Sequence, residues 1–262
     1  FICLLTFFID LFLLFMFFLS FLFLLTATLY AIVGFGGVST YLALLLLWNT
    51  PYNIFPILAL ACNIAVVSGN SFNYMRNGHF NKSLLLPYLI GSVPFAYWGG
   101  SLIIDKNIFE IVLFTVLLSA GILLLFNFKF FGSEKKSYKK IPLYISVSIG
   151  SVLGFISGVV GIGGGIFLSP ILFLLQAGKP RDIATTASIF ILINSVSGLI
   201  AQLQKDHLRI EIVDYWFLIL SVVIGGQIGN YLNLKILPSK GLAVLTAILV
   251  LFVALRMGYK IF

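Results

Sequence analysis

Gly161-Ile162-Gly163-Gly164-Gly165-Ile166-Phe167-Leu168-Ser169-Pro170 sets four glycines within five positions, after one long apolar run and at the start of a short one. Glycine has no Cβ and enters left-handed backbone at little cost, so such a cluster breaks a helix. The run before it, 142–160, is long enough to cross a bilayer. The run from 165 to 177 is 13 residues. At 1.5 Å per residue that is about 20 Å of helix, against a hydrocarbon core of about 30 Å, so it cannot span alone.

The rest of the chain makes a membrane the relevant solvent. Hydrophobic residues are 61% and charged residues 9% of the sequence, and mean hydropathy is +1.14. A soluble domain has about 45–50% apolar and about 25% charged residues. Polar breaks divide the chain into apolar segments at 7–33, 36–48, 54–75, 84–104, 107–127, 142–160, 165–177, 183–203, 212–234 and 241–258. The first reads as a membrane helix rather than a signal peptide, because it is long, carries Asp10, and lacks a basic leader or a small-residue cleavage site.

The glycine cluster has an earlier counterpart. Gly34-Phe35-Gly36-Gly37 lies 127 positions before Gly161-Ile162-Gly163-Gly164 and also opens a 13-residue apolar segment. Ser68-Gly69 matches Ser197-Gly198, His79 matches His207, and Gly99 matches Gly229, all at nearly the same offset. Ordered pairings with matching segment lengths indicate an internal duplication. The expected fold is all-α: a polytopic transmembrane helical bundle of two homologous halves with Gly-broken half-helices. Residues 1–128 form the first repeat, 129–141 a basic cytoplasmic linker holding five Lys, and 142–262 the second repeat. Orientation is left open. Whether the short segments complete a crossing or turn back, basic residues divide 11 inside against 5 outside, so positive-inside bias does not separate a parallel repeat from an inverted one.

The net charge of +8 comes from Lys and Arg scattered among membrane-edge loops, which speaks for topology and against nucleic acid. Cys3 and Cys62 sit in apolar runs without CxxC or His-rich context, so neither a disulfide framework nor a metal site is indicated. Gly161 to Ile166 is not GxGxxG, and HExxH, Walker and GxSG patterns are absent. The chain reads as no enzyme and as needing no cofactor. Glu110, Glu211 and Asp214 lie near helix ends, where headgroup water or a helix dipole accounts for them and a proton-coupling carboxylate is the alternative, and His79 and His207 lie in connecting loops, where solvation accounts for them.

A broken helix inside a membrane leaves backbone N–H groups that only protein or a water-lined cavity can satisfy. The starts of 36–48 and 165–177 carry such donors at the positive end of a helix dipole, which suits an anion. Transporters bind substrate at discontinuous helices in corresponding positions of two halves. The competing reading is that the glycines only pack helices closely. Candidate binding residues are Gly36, Gly37, Ser39, Thr40 and Asn63 in the first half, and Gly163, Gly164, Gly165, Thr186, Ser188 and Asn194 in the second. Their N–H groups, hydroxyls and amides can surround a small anion, and rocking of one half against the other would alternate access. An anion channel and a non-transporting scaffold are the alternatives.

The two clusters, with Ala184-Thr185-Thr186-Ala187-Ser188, Ser197-Gly198, and the Pro87 to Gly100 helix holding Gly91, Pro94 and Gly99, resemble the TauE/SafE sulfite exporter family. The resemblance runs from about residue 30 onward. It implies an ATP-independent secondary transporter, an exporter of sulfite, sulfoacetate or related organosulfonates, in a multi-pass cell membrane location (the inner membrane in a bacterium). Partners are then a small inorganic or organosulfur anion and the lipid bilayer, with homo-oligomer formation left open. The first half departs from the pattern: Ala59-Leu60-Ala61-Cys62-Asn63 stands where the family tends to have a Thr-Ser pair, and Val38 replaces a third glycine.

Overall fold

A computed structural model describes residues 2–48, 50, 54–78, 80–127, 138–205 and 215–233, together with 248, 251, 252, 254, 255, 258 and 259. His79, His207, Glu211, Asp214, most of the basic linker and most of 241–258 lie outside the described residues. The described elements are all helices: α1 Ile2–Val33, α2 Val38–Leu47, α3 Phe55–Arg76, α4 Lys82–Ser101, α5 Lys106–Asn127, α6 Leu143–Val160, α7 Gly165–Leu174, α8 Pro180–Leu203 and α9 Trp216–Asn233. Among them α3, α5, α6 and α8 are long and apolar enough to cross a membrane.

Local chemistry sets several boundaries. Pro56 and Pro180 stand in the first turns of α3 and α8, where a missing N–H costs nothing. Asn81 caps α4 by accepting from Leu84 N at 3.2 Å. α1 and α6 stop in the same way. Gly34 and Gly161 take φ of +84° and +80°, and the next residue bonds back five positions, Phe35 N to Tyr30 O at 3.0 Å and Ile162 N to Ser157 O at 3.2 Å. This is the left-handed glycine stop that closes many helices.

The contacts fix helix directions. α4 and α6 run parallel and backbone to backbone: a Cβ on Gly91 would overlap Val147 O and one on Gly99 would overlap Phe155 O, while Gly150, Gly154 and Gly158 press on Tyr88, Ser92 and Ala96. α1 and α9 are parallel in the same manner, with Gly225 against Leu24 O, Gly229 against Thr28 O, and Thr28 Oγ1 donating to Gly225 O at 3.1 Å. α8 runs alongside α4 in the same direction. Ser197 Oγ donates to Val93 O at 2.9 Å, and past the helix end Lys205 Nζ donates to Leu102 O at 2.7 Å and Gln202 Oε1 at 3.0 Å. Burial of that ammonium lowers its pKa. α3 crosses α8 antiparallel, since Leu60 meets Gly198, Asn63 meets Ser195 and Ser71 meets Ser188.

Both short helices turn back. α2 returns along α1, stacking Tyr41 on Phe23 with ring centroids 4.7 Å apart and Trp48 on Phe18 at 6.0 Å. α7 returns to the end where α6 began, since Lys139 N donates to Gln176 O at 3.0 Å and Gly178 lies against Leu84 at the start of α4. The turning-back arrangement that the basic-residue count left open is therefore the one adopted. α3 and α8, at corresponding positions of the two expected repeats, run in opposite directions.

Candidate functional site

The two breaks enter the bundle from opposite ends. Gly34 lies against Tyr74 near the end of α3, and Gly161 against Pro56 near its start. Between these levels the chain folds inward, and both breaks reach the middle of α3 at Asn63. A Cβ on Gly36 would overlap Asn63 Oδ1, while one on Gly163 would fall 2.6 Å from Asn63 Nδ2 and 2.7 Å from Ser195 Oγ. One fully buried carboxamide thus touches both glycine breaks, and its Nδ2 donates to Ser195 Oγ at 2.8 Å. Its Oδ1 has no hydrogen-bond partner among the described residues.

The half-helices begin there without side-chain caps. Gly37 is the residue before α2 and Gly164 the residue before α7, and neither start receives a side-chain hydrogen bond. Each presents first-turn N–H groups and the positive end of its dipole. Gly163 and Gly164 hold φ of +77° and +74°, conformations costing an L side chain about 1–2 kcal/mol.

The other candidates divide. Gly37 faces Thr26 and Tyr41, Gly164 faces Phe190, Leu153 O and Ser157, and Gly165 is wedged against Ile191 and Ala187 O of α8. Ser39 and Thr40 point to α1, with Tyr30 Oη 3.1 Å from Ser39 Oγ and 2.9 Å from Thr40 Oγ1. Ser188 Oγ pairs with Ser71 Oγ at 3.1 Å across the α3–α8 crossing. Asn194 Nδ2 donates to Phe190 O at 2.8 Å. Asn194 Oδ1, Thr186 Oγ1 and both amide atoms of Asn70 are buried without partners among the described residues. Asn70 follows Asn63 by seven residues, two helical turns along the same face of α3.

Residue choice from sequence missed Tyr30, Ser71 and Ser195. Tyr30 had a legible signal, a hydroxyl-bearing aromatic four positions before a helix-breaking glycine. Ser195 had one too, a hydroxyl within an apolar segment, but its pairing with Asn63, 132 residues away, was not legible.

The electrostatics of the site come from the backbone. Between Gly34 and Met75, between Gly161 and Gly178, and between Ile183 and Gln204 there is no Lys, Arg, His, Asp or Glu. The segments that form both breaks and the α3–α8 crossing are free of formal charge at neutral pH.

Residues 19–257 match the sequence family described as Sulfite exporter TauE/SafE. Among curated proteins, the chain is 28% identical over 246 residues to "Probable membrane transporter protein y4hK" of Sinorhizobium fredii, covering 91% of this chain and 96% of that one. It is 22% identical over 267 residues to "Probable membrane transporter protein YunE" of Bacillus subtilis, covering 90% and 95%. It is also 27% identical over 207 residues to "Probable membrane transporter protein MJ0441" of Methanocaldococcus jannaschii, covering 73% and 75%. No solved structure matches.

Proposed function

The chain belongs to the TauE/SafE sulfite exporter family, and from that premise we propose that this multi-pass membrane protein is a secondary transporter that exports a small sulfur-containing anion, sulfite or an organosulfonate, bound where the two glycine breaks meet. One observation carries the reading: two uncapped half-helix starts converge on a single buried asparagine, in segments with no charged side chain. Backbone N–H groups at helix starts bind anions without a formal cation. Broken helices from opposed halves are where transporters of this general design hold substrate. We take the halves to be an inverted duplication, for which the shared glycine stops at Gly34 and Gly161 and the opposed directions of α3 and α8 are the support.

The packing suggests which bodies move. α4 is seated on α6 and α8, and α1 on α9, through glycine contacts that join helices of different halves. Alternating access by rocking whole halves would tear both seams. The bodies we propose are mixed: α4, α6 and α8 in one, α1, α9 and α3 in the other, with the site at the α3–α8 crossing between them.

The test is uptake of radiolabelled sulfite into proteoliposomes, with unlabelled thiosulfate, sulfoacetate and sulfate as competitors. Saturable flux above empty liposomes is expected, and the competitors rank the anions the site accepts. Absence of flux from folded protein would remove the sulfur-anion reading.

A further inference from the structure

We infer that the species this site accepts is a monoanion carrying a hydrogen-bond donor, bisulfite (HSO₃⁻) rather than the sulfite dianion (SO₃²⁻), and that Asn63 Oδ1 is the acceptor that reads its proton. The inference rests on the proposed transport reading and assigns the protonation state of its substrate.

Two independent observations lead to it. The first is charge. The segments forming the site contain no Lys, Arg or His, so positive potential comes from the starts of α2 and α7. Each helix start is equivalent to about half an elementary charge, and two together match about one negative charge. A second charge on the bound anion would stay uncompensated among buried apolar residues such as Leu60, Phe190 and Ile191, where an unpaired charge is strongly penalised.

The second observation is the kind of atom left over. A site that met only fully deprotonated oxyanions would need donors alone. Asn63, fully buried, commits one N–H to Ser195 at 2.8 Å, and its oxygen, against Gly36 at the approach to α2, has no partner among the described residues. On α8, Asn194 donates to Phe190 O, and its Oδ1 has no partner among the described residues. A buried acceptor left unsatisfied is costly, and a hydrogen bond to a charged group is stronger than one between neutral groups. A protonated oxyanion satisfies both demands of the site, offering oxygens to the N–H groups and a proton to the amide oxygen. Sulfite ion and sulfate at neutral pH offer no proton. Methanesulfonate has the right charge but no donor.

The experiment is equilibrium binding to the full chain in detergent. Total sulfite is titrated at pH values from one unit below to two units above the bisulfite–sulfite midpoint, with methanesulfonate and sulfate titrated alongside. Because only the protonated fraction binds, apparent affinity for total sulfite should fall about tenfold per pH unit above the midpoint, while methanesulfonate affinity stays flat. Asn63→Leu, checked for folding by its unfolding midpoint, should weaken sulfite binding below the midpoint about tenfold or more and leave methanesulfonate within about twofold. Sulfite affinity independent of pH, sulfate binding as tight as sulfite below its midpoint, or equal losses for sulfite and methanesulfonate in Asn63→Leu would each overturn the inference with the transport reading intact. Folded protein that binds no sulfite at any pH would take down the transport reading, and the inference with it.

Discussion

Replacing Gly36 with alanine probes the centre of the molecule, because the new Cβ would overlap Asn63 Oδ1. Gly36 lacks a positive φ, so the substitution carries no left-handed backbone penalty and its effect is steric. Asn63 is fully buried and cannot step aside without giving up its 2.8 Å bond to Ser195. Overpacking a filled site costs about 1–3 kcal/mol, and an interhelical hydrogen bond in a membrane protein contributes about 0.6 kcal/mol on average, so Gly36→Ala should destabilise by about 2–3 kcal/mol. Asn63→Ala removes the obstruction. The double variant should then be about as stable as Asn63→Ala alone, a coupling within the range of about 0.5–3 kcal/mol seen for residues in contact. Gly163→Ala behaves differently, because its φ of +77° persists and about 1–2 kcal/mol of backbone cost remains after Asn63 is truncated. Equilibrium unfolding in mixed micelles, followed by labelling of the buried Cys62 thiol in a Cys3→Ser background, gives all the terms. Additivity of Gly36→Ala and Asn63→Ala to within about 0.5 kcal/mol would refute the contact and, with it, the convergence of the two breaks.

Gly154→Val should abolish folding, since its side chain would enter the backbone of α4 at Ser92, whereas Gly69→Ala meets the side-chain amides of Asn230 and Gln227 and should cost about 1 kcal/mol; expression and size-exclusion profiles distinguish them. A cysteine at Lys205 should react with an impermeant thiol reagent from the side opposite to a cysteine at Ser133 in the linker, because α8 ends beside the end of α4, and labelling of both from one side would reject the opposed directions of the halves. Spin labels at Ser83 and Tyr144, exposed at the starts of α4 and α6, should keep one distance in every transport state, whereas Tyr144 and Tyr231 should show two. Motion of whole halves predicts the reverse, because Tyr144 and Tyr231 share a half.

The helices were legible because bilayer thickness dictates segment length. The expected 54–75 became Phe55–Arg76 and 142–160 became Leu143–Val160. Misses at the ends have local causes. The segment expected to reach 177 stops at Leu174 because Gln176 takes a φ of 54° and Ala177 N bonds back to Leu172 O at 3.0 Å. The segment expected to reach 104 stops at Ser101, where Leu102 turns extended after two glycines. Val38 was legible as a departure from Gly165, though its reason was not: Gly165 is pinned between Ile191 and Ala187 O, a pressure that no sequence window reveals. Direction was illegible because equal counts of basic residues fit either path. In the site, Gly36, Gly163 and Asn63 were named from sequence and do come together, while Ser39, Thr40 and Ser188 have hydroxyls engaged with Tyr30 and Ser71.

The two glycine seams follow from one packing rule applied twice. Where two helices must lie backbone to backbone, every facing position must be small, and α4–α6 meets this with glycine on both helices, α1–α9 with glycine on α9 against Ala27 and Ala31. Such surfaces have one register, because a shift of one turn would drive side chains into carbonyls. They behave as rigid joints. The α3–α8 crossing is of another kind, held by the Asn63–Ser195 and Ser71–Ser188 hydrogen bonds and by Leu60 against Gly198, with unpartnered amide and hydroxyl atoms along both helices. Interhelical polar contacts of this sort contribute about 0.6 kcal/mol each on average. In the proposed reading, a ligand at the breaks acts on this hydrogen-bonded crossing rather than on the glycine seams.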